Sequence, residues 1–236
     1  MIYVVRYALI SLYTVFWASA VCVVGVFDRS GEIAVGCARQ WARWILGTCR
    51  IEVATDGVEN VDPNGPYVVM SNHQSVFDIV ALVGSLPVSF RFVAKRELTR
   101  IPFFGWGLLA GGHVVIDRGN HERAISSLKR AAERVRAGTS VIVFPEGTRS
   151  KTGDLRAFKS GGFHLAIQAG VPILPIAISG SRRIAPRGSL RARSGRMLVR
   201  FGKPIPTDEL AADDSEQLKT RVRQAILAGF DSALQS

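Results

Sequence analysis

Between the apolar runs "YVVM" and "IVALV" the chain reads Ser71-Asn72-His73-Gln74-Ser75-Val76-Phe77-Asp78, an imidazole and a carboxylate with four residues between them. A simple turn needs neither group. On an ideal helix, residues five apart are rotated by about 140°, so His73 and Asp78 would not face each other if both were helical. They meet if His73 sits on a strand-to-helix turn and Asp78 in the first helical turn. The carboxylate then holds one ring nitrogen while the other takes a proton from an alcohol, the division of labour of a serine-hydrolase dyad. Taken alone, the segment also fits a capping Asp beside a loop histidine.

The stretch "FPEGTRS", residues 144–150, weakens the capping reading. A strand ending at Phe144 delivers Pro145, Glu146, Gly147, Thr148 and Arg149 into a loop, where a fork-shaped guanidinium suits a phosphate. Charged loops at strand ends commonly bind ligands. Other features have blander readings. "GWGLLA", from Gly105 to Ala110, imitates a dinucleotide fingerprint but follows no clear strand and has no acidic ribose partner. Ser75 lacks a G-x-S-x-G elbow and reads as a helix-capping hydroxyl. His113, His121 and His164 show no ligand spacing and read as strand, surface and helix residues.

The elements around these loops alternate. "RIEVATDG", "YVVMSN", "RFVAK", "HVVIDR", "SVIVFPEG", "VPILPIAIS" and "RMLVRFG" read as strands, with a glycine-rich turn before the fourth. "FDIVALVGSL", "HERAISSLKRAAERVRAG", "GGFHLAIQAG" and "DSEQLKTRVRQAILAGF" read as helices, the second with Ala124, Leu128, Ala131 and Val135 on its apolar side and Gly138 as its stop. Such alternation implies an α/β fold with a mostly parallel central sheet flanked by helices. Ligands gather in these folds where strand ends give way to loops.

The first 49 residues differ in kind. Tyr7 to Phe27 carries no Lys, Arg, Asp or Glu, close to the ~20 apolar residues a spanning helix needs. Only Arg6 comes just before it, and the run exceeds a usual signal core, so it reads as a membrane segment rather than a cleaved leader. "GEIAVGCARQWARWILG" sets Ile33, Cys37, Trp41, Trp44 and Ile45 against Glu32, Arg39, Gln40 and Arg43. That pattern suits a helix in the lipid headgroup zone and equally an amphipathic helix packed on the domain. Arg29, Arg39, Arg43 and Arg50 follow the apolar run, which leaves the main domain in the cytosol. The expected organisation is an N-terminal membrane-associated helical segment, residues 1–49, and an α/β domain, residues 50–236.

A net charge of +11 and a pI near 10.3 favour an anionic partner. Nucleic acid is not expected, because the basic residues are not interleaved with aromatic stacking platforms. Cys22, Cys37 and Cys49 match no zinc or redox spacing, and no metal site is expected. Arg183, Arg187, Arg191, Arg193, Arg196 and Arg200 share a stretch without an acid; it reads as an anionic-lipid contact, a dock for an acidic acyl carrier or a solvated loop.

Taken together, "NHQSVFD", "KRELTRIPFFGWGLLAGGHVVIDR", "FPEGTRS" and "VPILPIAI" resemble, in order, the four blocks of the glycerolipid acyltransferases, the first being the HxxxxD block. The resemblance is to the 1-acyl-glycerol-3-phosphate acyltransferases in particular. It implies that His73 is the general base on the acceptor hydroxyl, Asp78 its orienting partner and an acyl thioester the electrophile, with no covalent enzyme intermediate. It also implies that Arg149 grips the acceptor phosphate, with Glu146, Gly147 and Thr148 shaping its loop and Lys95 and Arg118 as further candidates for that anion. Asp117 would then position Arg118, and Pro175 would shape an apolar wall. The implied donor is acyl-CoA or an acyl carrier protein, the implied product phosphatidate, and no cofactor is needed. The implied location is the inner (cytoplasmic) membrane, the domain facing the cytosol. Alternatives are another lysophospholipid acceptor such as a lyso-aminolipid, hydrolysis by water, and a lipid-binding module without chemistry.

Overall fold

The computed structural model describes residues 2–28, 30–117, 119, 121–189 and 191–235. Two helices come first, α1 (Ile2–Val24) and α2 (Glu32–Cys49), and then β1 (Ile51–Asp56), β2 (Val68–Ser71), α3 (Phe77–Ser85) and β3 (Phe90–Lys95). The chain continues through α4 (Phe104–Ala110), β4 (Val114–Ile116), α5 (His121–Arg136), β5 (Ser140–Val143) and α6 (Gly161–Ala169). It ends with β6 (Ile173–Ser179), α7 (Ser181–Ile184), β7 (Gly195–Phe201), α8 (Ser215–Ala228) and α9 (Ser232–Gln235).

The strands form one sheet in the order β1-β7-β6-β2-β5-β3-β4. Every neighbouring pair is parallel except β6 with β7. The central strands are buried on both faces, so their sequences are continuous apolar runs. Side chains alternate between two cores with the period of two that a strand imposes. Val69, Ile142, Leu174, Ile176 and Ile178 face the layer of α2 and α3, and Val68, Met70, Val141 and Ile173 face α5, α6 and α8. Phe77, Phe90, Phe163 and Phe201 are fully buried, each contributing roughly 1.5–3 kcal/mol relative to exposure.

The N-terminal pair departs from the expected single apolar face. Helix α2 buries Ala34, Val35, Ala42, Ile45 and Cys49, while Trp44 packs its ring on Tyr13 and Trp17 of α1 and Trp41 donates its Nε1–H to Thr14 Oγ1 at 3.1 Å. Ile33 points outward, 55% exposed. The split follows from cover on two sides, the sheet domain and α1. Helix α1 is long and apolar enough to cross a membrane, and little of it is buried. It touches the rest of the molecule at both ends and between: Arg6 Nη1 donates to Ala192 O at 2.6 Å, and Ala18 packs on Gly107. The glycine-rich turn expected before β4 is present at Gly111 and Gly112, and the glycines ahead of it belong to the short helix α4, seated on α1.

Candidate active site

Strands β2 and β5 are adjacent and parallel, so the loops leaving Ser71 and Val143 emerge side by side at one edge of the sheet. Asn72 anchors the first loop: its Nδ2 donates to Ile178 O at 2.9 Å and its Oδ1 accepts from Ile178 N–H at 2.8 Å. His73 follows on the turn, and Asp78 lies in the first turn of α3. Asp78 Oδ2 stands 2.9 Å from His73 Nδ1 and accepts the N–H groups of Gln74 and Ser75, each at 2.7 Å. An ionised carboxylate only accepts, so Nδ1 carries the proton and Nε2 is left as the base. Asp78 is fully buried, and the His73 side chain is 14% exposed. Ser75 accepts from Phe77 N–H at 3.2 Å and donates to Ala185 O at 2.7 Å, which is a structural hydroxyl's pattern.

The second loop braces the first. Glu146 Oε1 accepts His73 N–H at 2.7 Å, its Oε2 accepts Arg156 N–H at 3.1 Å, and Ser150 N–H donates to His73 O at 2.7 Å. Burial pushes the Glu146 carboxyl above the usual carboxylate range, and these amide donors partly offset that. Gly147 adopts φ 71°, which favours glycine, and a Cβ there would lie 2.9 Å from Lys159 Cε. Phe144 stacks its ring on His73, centroids 4.0 Å apart.

His73, Gly147, Thr148 and Arg149 border one cavity of about 490 Å³. Its walls are mostly apolar, and it runs beneath α1, α2 and α4 to His113 at the far side. His113 Nδ1 accepts Phe92 N–H at 2.9 Å, and burial, with Arg91 and Arg134 nearby, pulls its pKa down to about 4.

The remaining candidate residues divide. Lys95 lines the same cavity but pairs with Glu97 at 3.0 Å, and Glu146 spends both oxygens on backbone amides. Arg149 makes no ion pair among the described residues, and its carbonyl accepts from Arg187 Nη1 at 2.9 Å. Arg118 and Arg29 lie outside the described residues. Asp117 binds Arg96 at 2.6 Å and lies 3.7 Å from Arg123. Pro175 is buried in mid-strand against Gly202 and does not line the cavity, so it shapes the sheet rather than an acyl wall.

Sequence reasoning did not single out Asn72 or Phe144, and it read His113 only as a strand residue. The signal for Phe144 is an aromatic at the last position before a charged loop. Asn72 is marked only by a polar side chain just past the apolar run of β2, next to Ser71.

Comparison with known proteins bears on this site. A model of the family described as "Acyltransferase" matches residues 52–179. The 1-acyl-sn-glycerol-3-phosphate acyltransferase alpha of Ovis aries is 40% identical over 181 residues, 76% of this chain and 63% of that protein, so the match spans just under two thirds of the relative's length. The 1-acyl-sn-glycerol-3-phosphate acyltransferase of Saccharomyces cerevisiae is 35% identical over 215 residues, 89% of this chain and 69% of its own. The crystal structure of the 1-acyl-sn-glycerophosphate (LPA) acyltransferase PlsC from Thermotoga maritima superimposes with a TM-score of 0.83 at 26% identity, covering 97% of this chain and 92% of that one.

Proposed function

The chain belongs to the acyltransferase family, and from that premise we propose that it transfers a fatty acyl group from a thioester to the sn-2 hydroxyl of 1-acyl-glycerol-3-phosphate, giving phosphatidate. The observation carrying this reading is the 2.9 Å contact of His73 with Asp78 on the wall of the cavity that Arg149 also borders.

His73 Nε2 takes the proton of the acceptor hydroxyl as its oxygen attacks the thioester carbonyl carbon, and Asp78 holds the imidazolium through Nδ1–H. The tetrahedral adduct collapses with cleavage of the C–S bond, and the departing thiolate recovers the proton from Nε2. Arg149 holds the acceptor's phosphate by paired N–H donors, with Gly147 and Thr148 shaping its loop. Glu146 acts through the backbone, fixing His73 rather than touching the anion. Lys95 adds positive charge at the same wall. The donor is acyl-CoA or an acyl carrier protein.

Residues 1–49 act as the membrane-associated part and residues 50–236 as the catalytic domain, on the cytosolic side of the inner (cytoplasmic) membrane. Contacts at Arg6, Thr14 and Ala18 support α1 lying in the leaflet against the domain rather than crossing the bilayer.

Thiol release by the purified chain, measured with a panel of lysolipids, tests the reading. Turnover that requires lysophosphatidate and disappears in His73→Ala supports it. Turnover with a lyso-aminolipid alone, or acyl release without any acceptor, replaces it.

A further inference from the structure

Helix α4 has two apolar sides, only one of which the fold uses. Phe104 and Leu108 face the cavity. On the other side Ile101 is 46%, Phe103 40%, Trp106 53% and Leu109 56% exposed. Four large apolar side chains in nine residues form a patch that water disfavours.

The backbone is shaped to display that patch. Phe103 adopts φ 61°, ψ −60°, a conformation costly for a non-glycine residue and sustained only by its surroundings. It turns the chain so that the Phe103 and Trp106 rings meet, centroids 5.1 Å apart. Close packing clamps α4 in place: a Cβ on Gly105 would stand 2.3 Å from Thr99 O, and one on Gly107 2.9 Å from Ala18 Cβ of α1.

Two neighbours of the patch indicate what covers it. On one side is α1, whose outward stripe carries Leu12, Phe16 and Val23, all more than half exposed, as is Phe27 in the turn that follows it. On the other are Lys95, Arg96 and Arg100, all exposed. Lys95 and Arg96 have carboxylate partners, while Arg100 has none among the described residues. Apolar side chains beside an apolar helix, with cations at their base, match the interface of an anionic bilayer, where aromatic rings sit at headgroup level and each basic group is attracted to the surface.

We propose that the segment from Arg100 to Leu109 is a lipid-inserting element separate from the two N-terminal helices, with Ile101, Phe103, Trp106 and Leu109 entering the leaflet and Arg100 meeting lipid phosphate. Because the opposite side of α4 walls the cavity, insertion sets that wall in the layer from which an amphiphilic acceptor arrives. This consequence rests on the acyltransferase reading; the insertion itself does not.

The test uses the full chain on vesicles of phosphatidylcholine and phosphatidylglycerol, comparing wild type with Trp106→Phe. Brominated lipids quench tryptophans in the bilayer, and acrylamide quenches those in water. The expected result is that Trp106→Phe loses a bromolipid-quenched component while the acrylamide-quenched component is unchanged. Loss of an acrylamide-quenched component instead overturns the proposal, and so does a Trp106 signal reached by neither quencher, which would mean a second copy of the chain covers the patch. In a second arm, Trp106→Glu should raise the KM for vesicle-borne lysophosphatidate at least tenfold and leave turnover of a short-chain, water-soluble lysophosphatidate within twofold. Equal losses on both acceptors overturn the link to acceptor delivery. Quenching reads insertion even if the chain acylates a different lysolipid, so failure of the proposal and failure of the functional reading are distinguishable.

Discussion

Asp78→Asn keeps the shape of the side chain and removes its charge. With its amide oxygen at the position of Oδ2, the replacement still accepts the Gln74 and Ser75 amides and His73 Nδ1–H. What disappears is the attraction between a carboxylate and the imidazolium formed when Nε2 takes a proton. For charge centres about 4 Å apart at an effective dielectric of about 20, that attraction is about 4 kcal/mol, or roughly three decades in rate. The new NH2 group falls where Oδ1 now lies, a buried position with no hydrogen-bond partner among the described residues. That adds about 1–3 kcal/mol of destabilisation, borne by folding rather than by chemistry. The expected outcome is a kcat about 10³-fold lower, with the acceptor KM within about threefold and the far-UV circular dichroism unchanged. Steady-state thiol release at saturating lysophosphatidate measures it. A folded variant that loses less than tenfold in kcat would refute the reasoning and leave Asp78 as a helix cap.

Three more outcomes are expected. Arg149→Ala should lower kcat/KM for lysophosphatidate about 10–100-fold through loss of charge-assisted hydrogen bonds of about 1.5–3 kcal/mol, with Arg149→Lys recovering only part, as steady-state kinetics would show. Glu146→Ala strips the acceptor from two backbone amides, at His73 and Arg156, and should lower unfolding stability by about 2 kcal/mol or more in thermal denaturation. For His113 the folded pKa of about 4 lies below the ordinary imidazole value of 6.5, so the fold favours the neutral ring. Nothing is lost above that upper value, and stability should fall by up to about 3 kcal/mol as pH drops from about 6.5 to 4. His113→Gln should remove that part of the acid sensitivity in urea titrations at pH 7, 5.5 and 4.5.

Much of the fold was legible because the local signals are strong. The apolar runs of β2, β5 and β6 are short, rich in Val and Ile and flanked by Gly, Pro or Asn, which together mark buried strands, and Gly138 closes α5 where the apolar period ends. The His73–Asp78 spacing was legible as a condition, a turn followed by a first helical turn, and the chain adopts that geometry. What could not be read came from long-range packing. No local rule separates Trp41 and Trp44 from Ile45, because the division of their face depends on α1 arriving from elsewhere. Helix α4 was hidden by its glycines, which serve close approach to Ala18 and Thr99 rather than a turn. The role of Glu146 was obscured because a buried carboxylate bound to backbone amides looks, in sequence, like any other charge in a loop.

The hydrogen bond from Arg6 to Ala192 has a consequence for biosynthesis. The two partners are 186 residues apart, and among the described residues β1 pairs only with β7, whose first residue is Gly195. At about 5–20 residues per second of translation, Arg6 of α1 waits roughly 10–40 s and β1 roughly 7–30 s for the segments that complete them. During that interval the open edge of β1 and the Arg6 end of α1 lack their partners, so lipid contact made by α1 while the chain is still growing would hold this first layer in place until the sheet closes.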